Sequence, residues 1–160
     1  YLVRDLRMSR TMAGLFDFVG ILSLALLQPL AGSLSDKYGR RILMILAALG
    51  LIIGLINLYF AQNFPQAVVS AALFAGYGSY RLAASAYISD RTKCGNRGGI
   101  LGLLSSVESA TRSFGAIIGG LMIATVGIRK VILLSTVFPA LSILITVLAL
   151  KEKEVERPEP

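Results

Sequence analysis

Five long stretches of apolar residues, separated by short polar segments, dominate the hydropathy pattern of this chain. Each stretch holds about 20 residues or more, and a helix of about 20 residues crosses the ~30 Å hydrocarbon core of a bilayer. Buried strands are much shorter, so the pattern predicts an all-α, multi-pass transmembrane helix bundle. The short connections make successive helices antiparallel neighbours. The predicted spans are 11–31, 42–61, 66–89, 98–126 and 131–150.

The same pattern divides the chain into one membrane domain, residues 1–150, and a tail. The last ten residues, 151–160, are charged and contain proline, so we expect them to be solvated. Pro29 and Pro139 lie inside predicted spans, where neighbouring helices can satisfy the carbonyls that proline leaves free. Kinks are therefore expected at both positions.

The composition narrows the chemistry that this chain can perform. Its 160 residues are 55% hydrophobic and 16% charged, with no His and a single Cys, Cys94. An internal disulfide or a His/Cys metal site is therefore ruled out. We expect no cofactor, no bound metal and no enzymatic activity.

Lysine and arginine are distributed unequally between the two sets of connections, and this bias predicts the orientation of the bundle. One set carries nine basic residues and the other carries five. The first set is Lys37, Arg40, Arg41, Arg91, Lys93, Arg97, Lys151, Lys153 and Arg157; the second is Arg4, Arg7, Arg10, Arg129 and Lys130. Segments 32–41, 90–97 and the tail are thus predicted to be cytoplasmic in a cell-membrane protein. Because these residues lie between apolar spans, the net charge of +7 does not indicate nucleic-acid binding.

Four charged residues lie inside the predicted spans: Asp17, Arg81, Glu108 and Arg112. Charges inside a bilayer are costly unless they are paired or face a wet cavity, so these four are candidates for a substrate or proton pathway. Glu108 lies near the midplane, and Arg112 follows it in the order that favours an i,i+4 pair. Alternatively, Asp17 reaches the outer interface, Arg81 extends to the cytoplasmic interface, and the Glu108–Arg112 pair only locks helices together.

Helix packing and internal duplication have their own signals. Gly115 and Gly119 form a GxxxG step, followed by Gly120, that suits close approach of another helix.

"SDKYGRR" at 35–41 is echoed by "SDRTKCGNR" at 89–97, and both segments fall at the same predicted face. The second segment contributes Asp90, Arg91 and Arg97 as candidate functional residues.

The segment 32–41, "GSLSDKYGRR", resembles the signature G-x-L-x-D-[RK]-x-G-[RK]-[RK] of the major facilitator superfamily. "GYGSYRLAASAYISD" at 76–90 and "GAIIGG" at 115–120 are similar to further elements of that family. The chain departs from common family patterns at Ala72, where many members carry Arg, and at Ala116, where Pro is usual in proton-driven exporters.

The resemblance implies a role for the signature segment as a conformational latch. In the family its acidic residue, here Asp36, binds the N-terminal end of a helix in the other half of the transporter and the nearby basic residues. Arg40 and Arg41 would partner Asp36 and lipid phosphates, Gly32 would let helix ends cross closely, and Gly39 would supply a sharp turn. The latch residues are Gly32, Asp36, Lys37, Gly39, Arg40 and Arg41.

The family resemblance also implies five complete spans of a six-helix half, with the other half as a partner besides the lipid bilayer. The function expected is secondary active transport of a small solute by alternating access, with protons as the candidate coupling ion and efflux as the candidate direction. The alternative is a non-transporting membrane receptor or scaffold on the same fold. The intact signature favours the N-terminal half, whereas the missing Arg at 72 and the charged tail favour the C-terminal half, which we prefer.

Overall fold

Six α-helices account for almost all of the chain that the structure describes. The structure is a computed structural model and describes residues 9–92 and 94–149, without the side chains of Asp36, Cys94 and Ala149. The predicted tail 151–160 and Lys93 lie outside the described residues. The helices are α1 (Arg10–Tyr38), α2 (Arg40–Phe60), α3 (Phe64–Arg91), α4 (Arg97–Val126), α5 (Ile128–Ser135) and α6 (Val137–Ala149), with a 3₁₀ turn at Cys94–Asn96.

The all-α membrane architecture predicted from the sequence is confirmed. Four segments are long and apolar enough to cross a bilayer: Arg10–Ser35, Arg40–Phe60, Arg97–Val126 and Ile128–Leu148. The predicted third span forms the 28-residue helix α3, which is long enough to cross but less apolar than the others. Its position explains this difference, because α3 packs between α1 and α2 and buries small residues rather than large apolar ones.

The segment 32–41 is more helical than the sequence suggests. α1 continues to Tyr38, and α2 begins at Arg40, so that Gly39 alone separates the two helices. Gly39 has φ +91°, a conformation that L-residues with a side chain rarely adopt, and its N–H donates to the Ser35 carbonyl (3.0 Å). The sequence could not show this extension, because residues that leave the bilayer can remain helical in water.

The last predicted span is interrupted rather than continuous. α5 ends at Ser135 and α6 begins at Val137, with Thr136 between them. Pro139 has no N–H to donate to the carbonyl four residues earlier, which belongs to Ser135. This missing hydrogen bond accounts for the break. Pro29, in contrast, lies within the continuous helix α1.

Small residues bring α3 close to both of its neighbours. A Cβ atom added to Gly76 would lie 3.2 Å from the Ala47 carbonyl oxygen of α2. One added to Gly78 would collide with the end of the Leu24 side chain of α1. Around these crossings, alanines such as Ala71 are buried completely or nearly so. α1, α2 and α3 therefore form the most closely packed part of the bundle, and α6 packs against α2.

α4 stands apart from this packed unit. It touches α3 and α5 only slightly, and none of its described residues is buried. The gap between α4 and the pair α1–α3 is where the ionisable residues lie.

Candidate functional site

A cavity of about 810 Å³ lies between α1, α3 and α4. All four of the charged residues that the sequence places inside spans contribute to its wall. Other polar side chains in the wall are Gln28, Tyr77, Ser85 and Ser105, and apolar residues such as Phe16 and Leu104 supply most of the remainder. The charged residues of the cavity are Asp17, Arg81, Glu108 and Arg112.

An ion pair crosses the cavity from α3 to α4. The Arg81 Nε atom lies 3.0 Å from the Glu108 Oε2 atom, and the Arg81 side chain is 54% exposed against 27% for Glu108. Because α4 has few other contacts with α3, this pair is a principal link between the two helices. A charge-assisted hydrogen bond of this kind is among the stronger polar contacts in proteins.

The partner of Glu108 differs from the one that sequence spacing favours. An i,i+4 pair with Arg112 is worth only about 0.3–0.5 kcal/mol on a helix surface. Arg81 offers instead a guanidinium from a second helix. The sequence signal that could have identified this pair is the position of each residue along its helix. Because α3 and α4 are antiparallel, the start of α3 and the end of α4 lie at the same end of the bundle. At 1.5 Å per residue, Arg81 and Glu108 both lie about 26 Å from that end.

Asp17 and Arg112 carry opposite charges that the Arg81–Glu108 contact leaves uncompensated. Both side chains are exposed to the cavity, and within residues 9–92 and 94–149 neither forms an ion pair. Asp17 therefore lies on the cavity wall. Its position near one end of α1 had also allowed the alternative that its side chain reaches the outer membrane interface.

Sequence reasoning missed several polar residues of the cavity. Gln28 gave a usable signal, because an amide inside an apolar stretch needs a partner. Ser105, Tyr77 and Ser85 gave no comparable signal in the sequence. Only the arrangement of α1, α3 and α4 shows that these side chains face the same space.

The two segments with similar sequences meet at one end of the bundle. An Arg40 Nη2 atom lies 2.8 Å from the Asp90 Oδ2 atom, so the start of α2 is tied to the end of α3. Arg41 Nη2 donates a hydrogen bond to the Val147 carbonyl near the end of α6 (2.7 Å). The Arg40–Asp90 pair is partly exposed, with side-chain exposures of 26% and 58%, so it contributes at most about 1 kcal/mol. The Asp36 side chain lies outside the described part of the structure.

Lys37, Arg91 and Arg97, which belong to the described part of these segments, make local contacts. The Lys37 ammonium group lies 5.4 Å from the ring centre of Tyr38, and the Arg91 guanidinium lies 4.6 Å from that of Tyr87. Arg97 Nε donates to a backbone carbonyl of its own connection (3.3 Å). These contacts hold the side chains near the helix ends.

The glycines expected to mediate close helix packing face open space. Apart from the adjacent backbone of the same helix and the two neighbouring residues, no described heavy atom lies within 4 Å of a Cβ added at Gly32, Gly115, Gly119 or Gly120. Gly115 and Gly119 instead line a mostly apolar groove of about 640 Å³ between α4 and the α5–α6 pair. Their packing role stays a prediction.

Membrane-length helices that enclose a charged cavity define this chain as part of a multi-pass integral membrane protein. A sequence model of the Major Facilitator Superfamily matches residues 1–160, so the chain belongs to that family, as the signature segment predicted.

Similar proteins include bacterial proteins named for multidrug resistance. The multi-drug resistance efflux pump PmrA of Streptococcus pneumoniae serotype 4 is 34% identical over 140 residues, which cover 88% of this chain and 35% of PmrA. The multidrug resistance protein MdtG of Escherichia fergusonii is 30% identical over 141 residues, with coverage of 88% and 35%. MdtG of Rahnella sp. is 29% identical over 143 residues, with coverage of 89% and 35%. The chain thus spans about a third of the length of these relatives.

Proposed function

We propose that this chain is part of a secondary active transporter that exports small solutes across the cell membrane. The observation that carries the proposal is the convergence of four membrane-embedded charges on one cavity. Charges at this depth are costly unless they serve a pathway or a partner. The similarity to PmrA, which is named as a multi-drug resistance efflux pump, supports export rather than uptake.

The mechanism proposed is alternating access, in which two halves of the full protein rock around a site near the midplane. The packed unit of α1, α2 and α3 would move as one body. The loose attachment of α4 allows the cavity wall to change shape when the Arg81–Glu108 contact breaks.

Glu108 is the residue that we propose for proton coupling. A proton on its carboxylate would remove the charge that holds Arg81, and so would connect proton binding to the α3–α4 contact. Replacement by glutamine mimics the protonated form, because it keeps the size and the carbonyl oxygen but removes the negative charge.

We expect Glu108→Gln to abolish the part of transport that depends on a proton gradient while the protein still reaches the membrane. The measurement is uptake of tetramethylrhodamine and of its ethyl ester into inside-out vesicles that contain the full-length transporter, with and without an imposed gradient. Lys130→Gln, which removes an exposed charge outside the cavity, is the control and should keep gradient-driven uptake. If Glu108→Gln vesicles respond to the gradient as strongly as wild type, Glu108 has no part in coupling. Binding of both dyes without uptake by wild type would favour a receptor or scaffold.

The segments 32–41 and 90–97 are proposed to form the cytoplasmic latch, with Asp36 as the anion that meets the other half. The Arg40–Asp90 contact supports a joint role, because it holds the two segments together at one end. A helix N-terminus favours a nearby negative charge, which suits the proposed partner of Asp36.

We expect this end of the bundle to face the cytoplasm, in accordance with the excess of basic residues. Ser35→Cys, at one end, and Gln62→Cys, in the connection between α2 and α3 at the other, test the orientation in a cysteine-free full-length protein. A membrane-impermeant maleimide applied to intact cells should label Gln62→Cys and spare Ser35→Cys, and inside-out vesicles should give the reverse. The opposite pattern would invert the proposed topology.

A further inference from the structure

The residues that the structure describes give the cavity two positive and two negative side chains, and one ion pair forms among them. Arg81 and Glu108 satisfy each other at 3.0 Å. Asp17 and Arg112 line the same cavity, and in the described part of the chain each lacks an ion-pair partner. Among the described residues, the charges of the cavity therefore sum to zero, and one carboxylate and one guanidinium have no ion-pair partner.

We propose that Asp17 and Arg112 together recognise the two opposite charges of a zwitterionic substrate. This inference rests on the proposed transport function and names the substrate class. A purely cationic solute would pair with Asp17 but would leave Arg112 uncompensated in a largely apolar site. A solute with a cationic group and a carboxylate group compensates both residues through contacts between opposite charges.

The helix register sets the separation of the two groups. α1 begins and α4 ends at the same end of the bundle, because the helices alternate in direction. At a rise of 1.5 Å per residue, Asp17 lies about 10 Å from that end and Arg112 about 21 Å from it. The two charges are thus offset by about 10 Å along the helix axes, which fits an elongated molecule of two or three fused or linked rings.

The wall between and around the two charges suits the middle of such a molecule. Phe16, Ile21 and Leu104 are apolar and line the cavity together with the aromatic side chain of Tyr77. Ligand sites are typically apolar surfaces with a few polar groups that fix orientation. Here Asp17 and Arg112 would fix which end of the substrate points outward.

Tetramethylrhodamine and its ethyl ester provide a matched pair of probes. The free acid carries a delocalised cation and a carboxylate, whereas the ester carries the cation alone on nearly the same frame. We expect the full-length protein to bind the free acid about tenfold more tightly than the ester, because one additional charged contact is worth at least about 1.4 kcal/mol. Binding is measured by fluorescence anisotropy in detergent, and uptake is measured in vesicles.

We expect variants of Arg112 and of Asp17 to change the affinities for the two dyes in different ways. Arg112→Gln should remove the preference for the free acid and leave the affinity for the ester nearly unchanged. Asp17→Asn should weaken the binding of both dyes, because both carry the cation. Lys130→Gln should change neither affinity.

Three results would overturn the inference: equal affinity of wild type for the two dyes, an unchanged ratio of affinities in Arg112→Gln, or no binding of either dye. These outcomes are separate from failure of the proposed function. If the ester is transported as well as the free acid, the protein is a transporter but this substrate class is wrong. If the free acid is bound with the expected preference but neither dye is moved, the site stands and the transport proposal fails.

Discussion

Replacing Glu108 with arginine is expected to lower the yield of correctly assembled full-length transporter. The variant would place two guanidinium groups against each other at the α3–α4 contact, where wild type has a 3.0 Å ion pair. Loss of the attraction in a partly exposed pair costs at most about 1 kcal/mol, because the Arg81 side chain is 54% exposed, and the repulsion between the two guanidinium groups adds to this cost. α4 has few other contacts with α3 that could offset this loss. A destabilisation of about 1.4 kcal/mol changes an equilibrium constant tenfold, so we expect the yield of monodisperse protein in detergent to fall about tenfold.

Exchange of the two charges should restore much of that loss. In the double variant Arg81→Glu/Glu108→Arg, the same two helices again present opposite charges at the same depth. Yield and melting temperature of the fluorescently tagged protein measure the rescue. The matched control is Glu108→Arg with Arg112→Glu, which tests the pair that sequence spacing favours. Equal rescue by both doubles would contradict the assignment of Arg81 as the partner.

Replacing Gly76 with valine is expected to produce the second large effect, a loss of stability of the α1–α2–α3 unit. A Cβ at this position already lies 3.2 Å from the Ala47 carbonyl oxygen, and the two methyl groups of valine extend further. The obstacle is backbone, so it cannot rotate away as a side chain would. Overpacking of this kind typically costs about 1–3 kcal/mol. The measurement is the melting temperature of the full-length protein, which we expect to fall by several degrees.

Gly14→Val is the matched control for this prediction. Gly14 also lies in a membrane-length helix, but no described atom is within 4 Å of its added Cβ. We therefore expect its melting temperature to stay close to that of wild type. Equal destabilisation by both variants would show that the general cost of valine in place of glycine, rather than the crossing at Ala47, is responsible.

The family and the fold class were readable from the sequence because their signals are local. Hydropathy over about 20 residues predicts a span wherever it occurs, and the signature at 32–41 needs no tertiary context. Both predictions are confirmed, by the helices of the structure and by the match to the family over residues 1–160. Helix ends were less accurate, since α1 continues to Tyr38 and the last span breaks before Pro139.

The choice of Asp17, Arg81, Glu108 and Arg112 as candidates was also a result of the sequence alone. Any ionisable residue in an apolar stretch is conspicuous, since its desolvation must be offset by a partner or by water. Their roles in transport remain proposals, but their selection required no coordinates.

Partners within the cavity were decided only by the tertiary structure. Spacing along one helix favoured Arg112 for Glu108, whereas the packed helices bring Arg81 within 3.0 Å of it. The contacts of Arg40 with Asp90 and of Arg41 with Val147 likewise join residues that are far apart in the chain. The physical reason is that burial of a charge depends on its own residue type and local surroundings, while its pairing depends on which helices pack together. The sequence by itself determined that there are membrane spans and which of their residues are charged. Only the tertiary structure, in which α3 packs between α1 and α2 and α4 stands apart, decided which of the described charges form ion pairs and which do not.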